Sequence, residues 1–208
     1  MALGFNPNGL NEKENSHQKW WGFCLFKYAM RMSNSKPLTK HERIRRVTIL
    51  CCHAMRNIAF YRAGWRGKQI RVKEQYDVAA NSNFLDVAIL DWCKLFADKD
   101  GKHHWKKVVE DRAGFEVGLY SHLKISKKEF KVYVRDVLKY RNKFLAHLDD
   151  ERVMYPPKLR LARNAALYLY DYLRCDPVAS GSIVNVELTG KRFYAALYAH
   201  ALFVSVKK

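Results

Sequence analysis

Cysteines are few in this sequence, and their spacing is not that of a disulfide framework. There are five, an odd number, and none form a CxxC pair. All five lie among apolar residues, which predicts buried, reduced thiols in a cytosolic protein. The runs Cys51-Cys52-His53 and His103-His104 suggest a metal site. However, adjacent residues on a helix point about 100° apart, so the first three cannot all bind one ion. We expect neither a metal nor a cofactor.

Long apolar runs and a leader sequence are lacking as well. No segment has the ~18 apolar residues of a transmembrane helix. Residues 1–17 have neither the basic region nor the apolar region of a signal peptide. Walker A, GxGxxG and HExxH motifs are absent, and the acids form no paired-carboxylate pattern. We expect a cytoplasmic protein without a membrane partner, with a flexible tail over residues 1–16 and a single domain over 17–208.

Acidic residues are scarce, and this gives the first indication of a partner. Lys and Arg number 38 against 20 Asp and Glu, a formal net charge of +18. Such a charge favours polyanions, and RNA before an anionic membrane. Residues 36–73 hold 11 basic residues and a single acid, Glu42, which is more than half of the excess charge.

Two groups of residues in this basic segment are candidates for RNA binding. The first group lies at a predicted helix start and comprises Arg43, Arg45 and Arg46. Positive charge there is unfavourable because it opposes the helix dipole, and the negative charge of an RNA backbone would offset this cost. The second group alternates aromatic and basic residues, as stacking sites for single-stranded bases do; it comprises Arg62, Trp65 and Arg66, with Tyr61 beside them. The alternative is a solvated basic face on which Trp65 covers the core.

Apolar periodicity predicts an all-α protein. Capping boxes at Thr39/Glu42 and Ser126/Glu129 predict two helix starts, and Asn81 or Ser82 is the expected cap of a third helix. Residues 180–190 are ambiguous and could form a short hairpin arm. The predicted helices cover residues 17–32, 39–63, 81–98, 104–111, 115–122, 126–148, 156–174 and 192–204.

The stretch "YRNKFLAHLDD", residues 140–150, places polar groups at an unusual spacing in an apolar helix. On a straight α-helix Arg141 and His147 lie about 120° apart and ~9 Å along the axis, whereas Lys143 and His147 share a face. Arg141 and His147 could converge if the helix kinks. They could also converge if two copies of the segment meet about a two-fold axis.

These groups suit metal-independent RNA cleavage. RNA carries its own nucleophile, the 2′-hydroxyl, so a site needs a proton donor or acceptor and a fixed cation. His147 could transfer the proton and Arg141 could bind phosphate oxygens. Lys143 would favour the neutral imidazole of a general base. The alternative is that His147 is a surface histidine near Asp149 and Asp150 at a helix end.

The heptad "RNKFLAH" resembles the R-x(4–6)-H signature of the HEPN superfamily, with the polar Asn142 directly after the arginine. The helical layout and the segment "FLDVAILDWCKLFAD" resemble its abortive-infection branch over about residues 40–175. The resemblance implies an antiparallel helical bundle with extra helices at the termini. It also implies a metal-independent endoribonuclease, acting as a toxin or antiviral effector, that cleaves RNA by 2′-hydroxyl attack.

The resemblance further implies a homodimer with the motif at its interface, and an antitoxin or sensor protein as another partner. It assigns catalysis to Arg141 and His147 and an orienting role to Asn142. Members that pair with nucleotidyltransferase antitoxins often carry Tyr two residues after the histidine. This chain has Asp149 there, so we do not expect regulation by nucleotide transfer to that Tyr. Other members are not catalytic, so a scaffold that binds RNA, a nucleotide or a protein is the alternative.

Overall fold

Two long helices, α1 (Lys40–Ala63) and α2 (Gln75–Phe96), form the centre of the fold. The structure is a computed structural model that describes residues 37–71, 73–146, 155–183 and 188–206, without the side chains of residues 144–146, 205 and 206. The predicted capping box starts α1, because Thr39 accepts a hydrogen bond from the Glu42 amide and Glu42 accepts one from the Thr39 amide. That helix prediction is confirmed.

A short hairpin that the sequence did not predict joins α1 to α2. Its strands are β1 (Trp65–Arg66) and β2 (Gln69–Ile70), and Gly67 adopts a φ of +61° in the turn between them. The chain therefore reverses, so that Phe60 and Phe84 meet near the hairpin with ring centroids 5.1 Å apart. The two helices thus run antiparallel, and their apolar faces supply much of the core.

The start of α2 differs from the prediction. Asn81 and Ser82 are favoured N-cap residues, yet α2 begins six residues before Asn81, at Gln75, with Glu74 as its N-cap. Asn81 is buried inside the helix, where its side chain bonds to α1 and to Trp65. Asn81, which was predicted as an N-cap, therefore makes tertiary hydrogen bonds instead.

Shorter elements follow α2. The predicted helix over 104–111 is a single 3-10 turn, Trp105–Lys107, whose N-cap His104 accepts a hydrogen bond from the Lys106 amide. The helix predicted over 115–122 is α3 (Arg112–Leu123), which is capped by Asp111 and ends at Lys124 in the left-handed conformation. The Trp105 and Phe115 rings stack 4.5 Å apart and join the two elements.

Helix α4 (Lys127–Tyr140) starts at the second predicted capping box, formed by Ser126 and Glu129. Its buried Phe130 and Tyr133 pack edge-on against Trp92 of α2. The α-helix predicted to reach residue 148 ends at Tyr140, and a π-helical segment, Arg141–Ala146, continues it.

Three helices complete the described chain. They are α5 (Leu159–Cys175), the single turn α6 (Pro177–Ser180) and α7 (Gly190–Val206). Pro156 and Pro157 precede α5 and do not form its first turn, because the helix begins at Leu159. Helices α5 and α7 both pack on α1.

The described part of the chain is mostly helical, as predicted for an all-α protein. Among the described helices, none combines the length and the apolar character needed to cross a membrane. Cys51 and Cys93 are buried as expected, but Cys52 is half-buried and Cys175 is exposed, which corrects that prediction. The predicted tail 1–16, the helix 17–32, Cys24 and residues 184–187 of the ambiguous segment 180–190 lie outside the described residues.

Candidate functional site

Arg141 stands where α4 changes into the π-helical segment. The guanidinium is half-buried, with 23% of the side chain exposed, and its Nη1 pairs with Oδ1 of Asp98. Its Nε donates to Oδ1 of the neighbouring Asn142 at 3.0 Å. Among the described residues, two polar groups thus orient one planar cation, whose guanidinium has five N–H donors in all.

The π-helical segment changes the geometry expected for the motif. A π-helix closes i→i+5 hydrogen bonds and holds more residues per turn than an α-helix. The angular offset calculated for a straight α-helix therefore does not apply within residues 141–146, and the placement of Arg141 relative to His147 stays a prediction. Lys143 is half-buried within this segment. His147, Asp149 and Asp150 lie outside the described residues.

Asp98, the partner of Arg141, belongs to a tightly bonded turn after α2. Its amide donates to the Cys93 carbonyl at 2.9 Å, and its carbonyl accepts from the Gly101 amide at 2.8 Å. These backbone bonds hold the carboxylate in place at the end of a buried helix. Burial raises the pKa of the neighbouring Cys93 thiol to about 12, against the opposing effect of Arg141, so the thiol stays protonated.

The histidine pair 103–104 divides into two different environments. His104 is buried; its Nε2 lies 3.3 Å from the Phe96 carbonyl oxygen and its Nδ1 accepts from the Lys106 amide at 3.2 Å. Burial lowers the pKa of His104 to about 4, so this ring is neutral and structural. His103 is half-buried, and its Nδ1 is covered and has no hydrogen-bond partner among the described residues.

The predicted RNA-binding arginines at the start of α1 contact two different loops. Arg43 donates through Nη1 to the Lys102 carbonyl at 3.2 Å, and Arg45 donates through Nε to the Ser182 carbonyl at 3.1 Å. Arg46 is half-buried and lies one helical turn after Arg43. Arg43 therefore contacts the same loop, residues 97–104, to which Arg141 is tied through Asp98.

The second predicted group lies at the other end of α1, since Arg46 and Arg62 are separated by roughly 24 Å along a helix. Arg62 lies 5.8 Å above the Tyr198 ring and donates to the Tyr194 hydroxyl at 3.4 Å. Trp65 is half-buried and its Nε1 donates to Asn81 at 3.0 Å. Arg66 is exposed. The fold therefore does not gather all the predicted binding residues into one surface.

Sequence reasoning missed Asp98 and the surroundings of His103. Asp98 is 43 residues before Arg141, and no local spacing connects an aspartate after one helix with an arginine after another. The one sequence signal for Asp98 was its position at the end of the strongly periodic segment "FLDVAILDWCKLFAD". A polar residue at the end of a buried helix can extend its side chain towards another element. His103 was considered only as a metal ligand.

Comparisons with protein-family models, with curated proteins and with solved structures find no match for this chain. Among the described residues, no three or more His, Cys, Asp and Glu side chains are grouped so that they could hold a metal ion. The geometry around Arg141 and the charge distribution are therefore the basis of the functional argument.

Proposed function

We propose that this protein is a metal-independent endoribonuclease of the HEPN type that cleaves RNA by attack of the 2′-hydroxyl. The observation that carries the proposal is the fixed Arg141. A guanidinium oriented by a carboxylate and an amide, at the first residue of a π-helical turn, is suited to bind a scissile phosphate. π-Helical turns are rare and are frequent at functional sites.

Each motif residue has a defined role in this proposal. Arg141 stabilises the negative charge that develops on the phosphate, and Asn142 orients the guanidinium through the Nε hydrogen bond. His147 transfers the proton of the 2′-hydroxyl or of the leaving oxygen. Lys143, together with Arg43, Arg45 and Arg46, contributes positive potential for the RNA strand.

The proposed assembly is a homodimer with the motif at the interface. Two copies of residues 141–147 would then face each other across a two-fold axis and place two sets of motif residues in one cleft. The proposal also includes an HEPN-like antiparallel bundle, a toxin or antiviral role, a cytoplasmic location and an antitoxin or sensor partner. These features rest on the resemblance of "RNKFLAH" to the HEPN signature.

The chemistry of the RNA ends tests the proposed reaction. Attack by the 2′-hydroxyl leaves a 2′,3′-cyclic phosphate and a 5′-hydroxyl. Mass spectrometry of fragments from a short defined RNA should detect these ends in the presence of EDTA. Fragments with 3′-hydroxyl ends, or cleavage that requires Mg²⁺, would contradict the mechanism.

The second candidate function is a non-catalytic HEPN scaffold that binds RNA, a nucleotide or a protein. The net charge of +18 favours it equally, because charge supports binding without chemistry. The Arg141→Ala and His147→Ala variants separate the two candidates. In a biological assay such as growth inhibition of the producing cell, a scaffold should keep its effect in both variants. An enzyme should lose the effect while circular dichroism shows a folded chain.

A further inference from the structure

Four basic side chains from three elements lie close enough to His103 for their charges to act on its ring, at the α1 start and the loop after α2. Arg43 and Arg46 lie three residues apart on α1 and therefore share a face. Lys94 belongs to the last turn of α2, and Lys102 and His103 belong to the loop. The hydrogen bond from Arg43 to the Lys102 carbonyl, at 3.2 Å, joins the helix to the residue before His103. We call these five residues the His103 cluster.

The His103 cluster concentrates positive charge with little compensation. Lys94 pairs with Asp91 at 2.9 Å. Glu42, the acid nearest the arginines along α1, accepts hydrogen bonds from Thr39 in the capping box, although its charge also interacts with Arg46. Burial lowers the pKa of His103, and so do the charges of four described residues, Arg46, Arg43, Lys94 and Lys102, all positive. At neutral pH His103 is therefore an uncharged ring among four cations.

The His103 ring retains an unused hydrogen-bonding group. Its Nδ1 is covered and bonds to no other described atom. A covered polar atom without a partner destabilises the folded chain. Because no described atom bonds to Nδ1, that nitrogen does not fix the tautomer, and the neutral ring can carry its proton on Nε2.

We propose that the His103 cluster is a phosphate-binding site, in which Arg43 and Arg46 bind the phosphate oxygens and the His103 ring donates a further hydrogen bond. The forked guanidinium group matches two phosphate oxygens, and Lys94 and Lys102 add positive potential. An anion in this place offsets the mutual repulsion of the four cations. The site goes beyond the proposed function, because phosphate binding at His103 requires no cleavage at Arg141.

Inorganic phosphate is the first probe. In a titration followed by NMR of the histidine ring protons, the His103 signal should shift and saturate, while the signal of the exposed His122 on α3 should stay constant. Sodium chloride at matched ionic strength should not reproduce the shift. A His103 signal that does not saturate, or that responds equally to chloride, would overturn the proposal.

Two charge-neutralising variants make the test specific. Arg46→Gln should weaken phosphate binding about tenfold or more, as expected from the loss of one charge-assisted hydrogen bond. Arg135→Gln removes the same charge from an exposed position on α4 and should change affinity less than about twofold. Equal weakening in both variants would assign the effect to net charge and contradict a defined site.

The source of the phosphate is distinguished by two further probes. Adenosine 5′-monophosphate presents a terminal phosphate, whereas a 5′-hydroxyl oligodeoxyribonucleotide presents backbone phosphates and lacks the 2′-hydroxyl required for cleavage. If only adenosine 5′-monophosphate shifts the His103 signal, the site binds a phosphate monoester. If the oligodeoxyribonucleotide shifts the signal as well, the site binds the backbone of a strand. The readout is the His103 ring signal and not RNA cleavage, so failure of the nuclease proposal remains separate from failure of this one.

Discussion

Asn81 joins three parts of the structure through a single amide. Its Nδ2 donates to the carbonyls of Phe60 at 3.3 Å and Tyr61 at 3.0 Å, and its Oδ1 accepts from Trp65 at 3.0 Å. The side chain therefore gives a second donor to two carbonyl groups in the last turn of α1, which also accept from the Gly64 amide. It also fixes Trp65 at the hairpin, so this polar residue adds to the stability that apolar packing gives the α1–α2 pair.

Replacing Asn81 by Ala should destabilise the protein by about 2–3 kcal/mol, because the Trp65 indole N–H loses its acceptor and the two carbonyls at the end of α1 lose one of their donors. Urea unfolding followed by circular dichroism measures this difference. The control is Asn83→Ala, at an exposed position of the same helix, which should change the free energy of unfolding by less than about 0.5 kcal/mol. Similar losses in both variants would contradict the role of the Asn81 amide.

His104 should make the folded state sensitive to acid. The unfolded chain binds a proton on this ring near its ordinary pKa of 6.5, whereas burial lowers the folded-state pKa to about 4. Since the unfolded state binds more protons between these values, the stability contribution is complete above pH 6.5. It is lost as pH falls towards 4, by up to about 3 kcal/mol.

The measurement for His104 is the free energy of unfolding in urea at pH 7.5 and at pH 5. Asn can keep the N-cap bond to the Lys106 amide but does not titrate, so His104→Asn is the comparison variant. The wild type should lose more stability between the two pH values than the variant does. An equal loss would show that other groups, such as His53 and His103, account for the acid sensitivity.

At the scale of elements, the π-helical segment and the loop after α2 act together. The segment starts at Arg141, and the loop supplies Asp98, which pairs with the guanidinium. The pair is partly exposed, with 23% and 33% of the two side chains accessible, so it contributes at most about 1 kcal/mol to stability. Its larger effect in the proposed enzyme is to orient Arg141.

Asp98→Asn should therefore lower the rate of RNA cleavage about tenfold or more while the melting temperature changes by only a few degrees. In a His147→Ala background, the same change should cause no additional loss. The matched control is Asp100→Asn, at an exposed position of the same loop. A normal cleavage rate in Asp98→Asn would mean that Asp98 does not position Arg141.

The elements that could be predicted are those defined by local sequence. Both capping boxes, at Thr39 and Ser126, depend on residues three positions apart, and both were confirmed. The start of α2 was mispredicted because the bonds of Asn81 are tertiary. The hairpin strands have two residues each, which is too short for an alternating pattern.

The candidate site was predictable in composition but not in geometry. The sequence identified Arg141 and Asn142 through their neighbours in the heptad. It could not identify Asp98, 43 residues away, because that contact depends on how the end of α2 lies against the π-helical segment. The π-helical turn was also missed, since an i→i+5 register leaves no distinct apolar spacing over six residues.

At the scale of the whole molecule, the net charge of +18 predicts strongly salt-dependent binding to RNA. The fold separates the predicted binding residues into two ends of α1. Arg46 belongs to the His103 cluster, whereas the Arg62 guanidinium lies over Tyr198 and bonds to Tyr194 of α7. The two arginines should therefore contribute differently to binding.

Arg46→Gln should reduce the slope of log affinity against log salt by about 0.7 for a single-stranded RNA, as expected from the loss of one phosphate contact. Arg62→Gln should leave the slope closer to that of the wild type and lower the melting temperature, because it removes contacts between α1 and α7. Fluorescence anisotropy at several salt concentrations measures the slopes. Equal reductions of the slope in both variants would contradict the different roles of the two ends of α1 in binding.

The most direct test of the proposed function is incubation of total RNA with the purified protein in EDTA, comparing the wild type with His147→Ala. We predict cleavage by the wild type and none by a folded His147→Ala variant, which would assign His147 to the chemistry and exclude an essential divalent metal. Equal cleavage by both proteins would contradict the account. RNA binding by the wild type without cleavage would instead favour the scaffold.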